Sequence, residues 1–445
     1  MKLFFLSLGC DKNLVDSEKM LSKLLGGGFT LTDDEAEAEV IVVNTCCFIG
    51  DAMEESIQAL IDMGRYKTEG NCKVLLAAGC LAGRFPQEIE KELPEVDGIV
   101  GPGELGSVLE AIQQSLHGSH PKLLDTVSAD EPDTSRVLTT GGHFEYLKIA
   151  DGCDRRCSYC VIPFIRGAYK STPIEGLISE ARELADKGVR ELILVAQDTT
   201  EYGVDIYGKR SLPKLLDCLS EIDGIKWIRL MYCYPEDIDD DLIEAIIRNK
   251  KVCHYIDMPI QHCSDDILKR MGRHTDYDSL CRTIEHLREL IPDIAIRTTL
   301  ICGFPGESDE DHAELVDFVK NMRFDRLGAF CYSREENTAA ARMPDQIPED
   351  IKASRREEIM LTQQEVSANN NLNMLGREFE VFVEGRLTDQ PDTYVGRSYR
   401  DAPDVDSYLF FTSSYELISG SFVRVRVTEA GEYDLIGELI DESTK

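Results

Sequence analysis

The stretch Asp151–Phe164, DGCDRRCSYCVIPF, decides how the rest of the chain is read. It sets Cys153, Cys157 and Cys160 within eight residues, so one loop can wrap one metal centre. Structural zinc sites built from cysteine use four ligands, usually as two C-x2-C pairs, and no second pair stands here. An iron–sulfur cube fits the spacing better: three thiolates hold three irons and the fourth iron stays open for a substrate.

Working outward, the loop follows an apolar stretch, FEYLKIA, and precedes a helical one, PIEGLISEARELADKG. Five more strand-like stretches follow, ELILVAQD, WIRLMY, YIDMP, IAIRTTLI and RLGAFCYS, with helical segments between them. Six β/α units predict a full or partial parallel barrel over residues 139–372, closed by the helix-rich stretch after Pro348. The cysteine loop then lies at the C-terminal face, where barrels keep their chemistry. Other strand ends at that face offer Gln197 and Asp198, Gln261 and His262, and the turn LICGFPGES, whose Gly303 and Gly306 would let a ligand approach the backbone closely. Arg273, and Arg297 on the fifth strand, are placed to neutralise a carboxylate.

Residues 1–118 alternate continuous apolar strands (KLFFLSLG, AEVIVVNTC, KVLLAAGC, GIVG) with helices, which predicts a parallel α/β domain. Cys10, Cys46 and Cys80 each fall just past a strand end. In open α/β sheets such ends border the binding crevice, so the three converge as candidate metal ligands; neighbouring Cys47 breaks the pattern and reads as packing. Residues 119–138 are polar and read as a linker. From 373 to 445 short alternating strands predict a small antiparallel β-barrel, which from Gly376 onward carries seven Lys and Arg against fifteen Asp and Glu.

Composition sets outer limits. The 445 residues, 42% hydrophobic, suffice for two or three domains. No stretch reads as a signal peptide or reaches the roughly 20 apolar residues of a membrane span. Fifteen cysteines without a secretion signal point to metal binding or catalysis rather than a disulfide framework, in a reducing cytoplasm. A formal net charge of −34 argues against nucleic acid as the primary partner; it suits either a basic partner or solubility alone.

C-x3-C-x2-C with an aromatic residue, here Tyr159, before the last cysteine resembles the radical S-adenosylmethionine (radical SAM) superfamily. The resemblance implies that Cys153, Cys157 and Cys160 bind a 4Fe–4S cluster whose open iron is chelated by S-adenosylmethionine, and that one electron splits this cofactor to a 5′-deoxyadenosyl radical. It implies cofactor contacts from Tyr159, Ile301, Gly303, Phe304 and Gly306, and Gln197, Gln261 and Arg297, placed by their strands, are expected to join them. Over the whole chain the plan resembles the methylthiotransferases, in which Cys10, Cys46 and Cys80 would hold a second 4Fe–4S cluster for sulfur insertion and the last domain would be TRAM-like. VAQDTTEYG, YIDMPIQH, IRTTLICGFPGES, FDRLGAFCYSREENTAAARM and GRSYRDAPDVD resemble the RimO branch. That branch methylthiolates the β-carbon of an aspartate in ribosomal small-subunit protein S-twelve, with S-adenosylmethionine also the methyl donor and an electron donor such as flavodoxin or ferredoxin. Asp401, Asp404 and Asp406 are then expected to dock that basic protein. A transfer-RNA adenosine methylthiotransferase (MiaB-like), a non-enzymatic iron–sulfur electron carrier and a zinc protein remain as alternatives at this point.

Overall fold

The computed structural model describes residues 1–103, 105–124 and 135–440. At the N-terminus β1 (Lys2–Ser7), β2 (Thr30–Leu31), β3 (Val40–Thr45), β4 (Val74–Gly79), β5 (Gly98–Val100) and β6 (Lys122–Leu123) form one parallel sheet, ordered β2-β1-β3-β4-β5-β6. Every residue of β3 and β4 is buried. Their even and odd residues serve two different cores: Val40, Val42, Val74 and Leu76 pack with Met20, Leu24 and Ile112, whereas Ile41, Val43, Leu75 and Ala77 pack with Leu60 and Ile89. Helices on both faces are why these strands are apolar throughout rather than alternating. Each such Val or Leu contributes about 1.5–3 kcal/mol of burial free energy. Strand β6 lies inside the stretch expected as a linker. Further along that stretch, Arg136 is buried and ion-paired to Glu18, Glu145 and Glu180; residues 125–134 lie outside the described residues.

The second sheet takes β7 (Phe144–Lys148), β10 (Glu191–Val195), β11 (Trp227–Leu230), β12 (Val252–Asp257), β13 (Ala295–Cys302) and β14 (Arg326–Cys331) in sequential, all-parallel order. Six strands leave β7 and β14 unpaired with each other, so the barrel is partial. Between β7 and β10, a hairpin of β8 (Ala150–Asp151) and β9 (Lys170–Ser171) brackets the cysteine loop. Alternate side chains divide the two faces. Leu192, Leu194, Ile228, Leu230 and Ile256 join the outer helices; Ile193, Val195, Trp227, Met231 and Tyr255 face the concave side. That concave side is not hollow. Phe382, Ala402 and Phe422 of the last domain enter it, as does Val15 of helix Asp11–Gly26.

The last domain closes β15 (Glu378–Arg386), β16 (Thr393–Arg397), β17 (Leu409–Thr412), β18 (Phe422–Ala430) and β19 (Leu435–Leu439) into a barrel ordered β15-β16-β17-β19-β18. The sequence predicts antiparallel pairing throughout, but β17 and β19 run parallel. Strand directions cannot alternate all the way round a ring of five, so one parallel pair is forced. Among the described residues no helix is long and apolar enough to cross a membrane.

Candidate metal centres

The loop Cys153–Cys160 is pinned by its backbone. The Cys153 N–H donates to Gly167 O at 3.2 Å, Ser158 N–H to Met271 O at 2.8 Å, and Ala340 N–H to Ser158 O at 2.8 Å. Three separate segments thus fix a loop with almost no regular structure of its own. Within the loop, Arg155 donates to Asp198 at 2.6 Å and Glu201 at 3.1 Å, and it also pairs with Asp237. Asp198, Glu201 and Asp237 are the one set of three metal-capable side chains within 4.8 Å of one another among the described residues, and each of them pairs with Arg155, Arg210 or both. Asp198 therefore holds the loop through Arg155.

The six candidate cysteines are all free thiols in two sets of three. A closed structural zinc site takes four ligands; a cubane held by three thiolates keeps its fourth iron open. Burial pushes the Cys153 thiol up to about 11 and Cys160 to about 12. Metal loading must therefore release protons. Above the loop, Tyr159 and Ile301 pack against a buried apolar group containing Ile267, Met271, Phe304 and Tyr332, with Tyr159 edge-on to Phe304. A buried cation stands beside it. The Arg273 guanidinium lies 4.2 Å from the centre of the Tyr234 ring and donates to Glu236 at 3.3 Å, while its Nε and Nη1 have no partner. Tyr234, whose hydroxyl is 3.6 Å from Cys157 Sγ, also carries Arg155 at 4.6 Å. A desolvated guanidinium with two free donors is costly, and an anionic ligand beside the cysteine loop would satisfy it. The residues thus fit both an open cluster and a carboxylate-bearing cofactor.

The other expected cofactor contacts have protein partners of their own. The Cβ side of Gly303 and Gly306 is filled by protein. A Cβ on Gly303 (φ 74) would lie 2.2 Å from Lys352 Cγ, and one on Gly306 (φ 84) 1.7 Å from Arg270 Nη1. Lys352 and Arg270 thus occupy the side of these glycines where a Cβ would stand. Glu307, missed in the sequence, sets the turn by accepting the N–H groups of Gly303 and Phe304. Arg297 faces Asp257 at 2.7 Å and Asp406 at 3.3 Å, so its charge is spent within the protein. His262 is buried, accepts Ser264 N–H at 3.0 Å, and is held neutral, its pKa lowered to about 4 by burial. Gln261 adopts φ 70 and bridges to Leu300 through its backbone. Gln197 donates to Asp151 at 3.0 Å and leaves its buried Oε1 unpaired.

The N-terminal cysteines do converge. Gly9 (φ 94) and Gly79 (φ 87) turn the chain sharply just before Cys10 and Cys80; a Cβ on Gly9 would sit 2.8 Å from Cys46 Cβ, and one on Gly79 2.2 Å from Asn44 Oδ1. Only glycine permits both the backbone angle and the close approach. Asn13, one turn into the first helix, donates to Leu8 O at 2.8 Å and Thr45 O at 3.0 Å, and its Oδ1 is 3.7 Å from Cys80 Sγ. One amide thus ties together the loops that carry all three cysteines. Burial pushes Cys80 up to about 11 and raises Cys46. Cys47 is buried in the neighbouring core.

The three docking aspartates separate. Asp401 is buried and pairs with Arg326, whose Nε lies at 3.1 Å. Asp406 accepts from the Tyr255 hydroxyl at 2.7 Å, besides its contact with Arg297. Both carboxylates clamp the last domain to the barrel and are unavailable to a partner protein. Asp404 alone is exposed, at φ 64.

Models of known families match three successive parts: the uncharacterized protein family UPF0004 over residues 2–101, the radical SAM superfamily over 147–319, and the TRAM domain over 375–440. The chain is 53% identical over 438 residues to the ribosomal protein uS12 methylthiotransferase RimO of Lachnoclostridium phytofermentans, covering 98% of this chain and 99% of the relative. It is 49% identical over 443 residues to the protein of the same name from Pelotomaculum thermopropionicum, covering 99% of each. Among solved structures it resembles the radical S-adenosylmethionine methyltransferase TsrM of Kitasatospora setae, with TM-score 0.57, 15% identity, and coverage of 76% of this chain and 73% of that one; this likeness shows the fold alone. Cysteine loop, domain order and full-length identity agree: the chain belongs to the RimO branch of the radical SAM methylthiotransferases.

Proposed function

We propose that this protein replaces a β-carbon hydrogen of an aspartate in ribosomal small-subunit protein S-twelve with a methylthio group. The observation that carries the reading is full-length identity of about half to proteins named for that reaction. In this reading residues 1–118 carry an auxiliary 4Fe–4S site on Cys10, Cys46 and Cys80. A linker of 119–138 leads to the radical SAM barrel, 139–372, with its cluster on Cys153, Cys157 and Cys160, and 373–445 form the TRAM domain. Bound there, the barrel cluster and S-adenosylmethionine supply a 5′-deoxyadenosyl radical able to take an unactivated hydrogen, and the auxiliary cluster supplies sulfur.

The protein's own residues orient and shield. Tyr159, Ile301 and Phe304 give an apolar wall that keeps water from a reactive carbon centre. Arg273, whose Nε and Nη1 have no protein partner, would hold the cofactor carboxylate, and the unpaired Oε1 of Gln197 would accept from its amino group. The exposed Asp404 and the acidic surface attract the basic substrate, electrons come from a flavodoxin- or ferredoxin-like donor, and the setting is cytoplasmic.

The test is mass spectrometry of ribosomal proteins and transfer RNA from a deletion strain with and without the gene restored. The expected result is loss and recovery of one methylthio group on a single aspartate. Recovery on adenosine in transfer RNA, with the ribosomal protein unchanged, overturns the reading.

A further inference from the structure

Arg166 lies six residues after Cys160, just past the short helix Ile162–Ile165, and so belongs covalently to the radical-cluster loop. Its guanidinium instead reaches the N-terminal domain. Nη2 donates to Asn13 Oδ1 at 2.8 Å and lies 3.5 Å from Cys80 Sγ; Nη1 donates to Asp16 at 3.0 Å and to Asp151 at 2.8 Å. The side chain is 2% exposed. Asn13 in turn holds the loops carrying Cys10 and Cys46. One cation therefore touches one candidate ligand directly and the other two through a single amide.

We propose that Arg166 is a positioning residue for the auxiliary centre: a fixed N–H donor and positive charge at the Cys80 sulfur that raises the midpoint potential of the cluster held there. The inference rests on the two-cluster reading above. Asp16 and Asp151 are matched by Arg166 and Lys148, so the buried network is neutral only while Arg166 is present. A hydrogen bond to a cluster sulfur and a neighbouring cation both favour the reduced, more negative state. Losing Arg166 removes the donor and leaves one carboxylate uncompensated beside the thiolates. Because the charge arrives on the radical-cluster loop, the auxiliary site reaches its working potential only when the two domains are docked.

The test uses the full chain with Cys153, Cys157 and Cys160 all changed to Ala, reconstituted anaerobically, so that only the auxiliary cluster reports. This parent should hold about four irons; a parent with none contradicts the two-cluster reading itself. Potentiometric titration followed by electron paramagnetic resonance is then compared for Arg166→Gln and Arg166→Lys. The expected result is a shift to more negative potential for the glutamine variant and a near-parental value for the lysine variant. Loss of iron in the glutamine variant alone supports the same charge requirement. The proposal is overturned if the glutamine variant is unshifted or shifts positive, if both variants shift equally, or if both lose iron, which would make Arg166 a scaffold only.

Discussion

Glu191, the first residue of β10, accepts from Arg397 of the terminal barrel at 2.8 Å and from Arg229 of β11 at 2.7 Å, with all three side chains at 0% exposure. A single carboxylate inside the barrel thus joins two strands of one domain to the end of β16 in another. Two guanidiniums around one carboxylate would be a poor arrangement if left there, but Arg397 also meets Glu384, and Arg229 donates to Tyr399 O at 2.6 Å.

Glu191→Ala should therefore be severe. It leaves Arg229 without its carboxylate and Arg397 with Glu384 alone, and breaking such a buried pair costs about 3–5 kcal/mol. Chemical unfolding should show a loss of that size, with proteolysis entering first between the barrel and the terminal domain. A loss below about 1 kcal/mol would mean that water reaches this network.

Glu145 gives a pH signature. Burial is the largest influence on it, followed by the nearby Glu18 carboxylate, and together they outweigh Arg136, lifting the acid from 4.5 to about 7. An acid raised on folding binds its proton more tightly in the folded state. Its destabilising effect is absent below pH 4.5 and complete above about pH 7, so this part of stability falls as pH rises through that window. Glu145→Gln should flatten the profile, gaining up to about 3 kcal/mol relative to wild type at pH 8 over pH 4.5. Parallel profiles for the two proteins would contradict the assignment.

Asp401 and Asp404 should behave differently although three residues apart. Asp401→Asn weakens a buried pair with Arg326 and should lower the melting temperature without altering how substrate affinity depends on salt. Asp404→Lys should leave stability within about 0.5 kcal/mol and flatten that salt dependence. Differential scanning calorimetry and binding titrations at two ionic strengths separate the two effects.

Arg273→Gln removes a charged donor facing the proposed cofactor carboxylate. Charge-assisted hydrogen bonds of about 1.5–3 kcal/mol correspond to a roughly 10- to 150-fold weaker hold on S-adenosylmethionine. Equilibrium binding should show this drop while iron content stays unchanged. Unchanged affinity would free Arg273 for another role.

Much of this architecture is legible in the sequence because it is local. Continuous apolar runs such as VIVVNT and VLLAAG mark doubly covered strands, and a cysteine directly after each marks a sheet edge. The cysteine loop is legible because its three cysteines sit on one short segment. Long-range pairing is not. Nothing near Asp401 or Asp406 announces Arg326 or Tyr255, which lie 75 and 151 residues away, so an acidic run gives no local sign that its charges are spent inside the protein. Gly303 and Gly306 show the same limit: the need for glycine is readable, whereas the occupant of the space, Lys352 or Arg270, is set by a distant helix. Arg166 and Asn13 carry no motif of their own and gain meaning only when two domains meet. The parallel pair β17–β19 follows from counting five strands around a closed ring, once closure is known.

The most direct measurement is a reaction with purified components: anaerobically reconstituted protein, S-adenosylmethionine, dithionite and ribosomal small-subunit protein S-twelve, followed by peptide mass spectrometry and assay of 5′-deoxyadenosine. The account predicts one aspartate-bearing peptide in which a methylthio group replaces hydrogen, formed together with 5′-deoxyadenosine and abolished by Cys10→Ala or Cys153→Ala. An unmodified peptide, with the cofactor cleaved and both clusters intact, would contradict it.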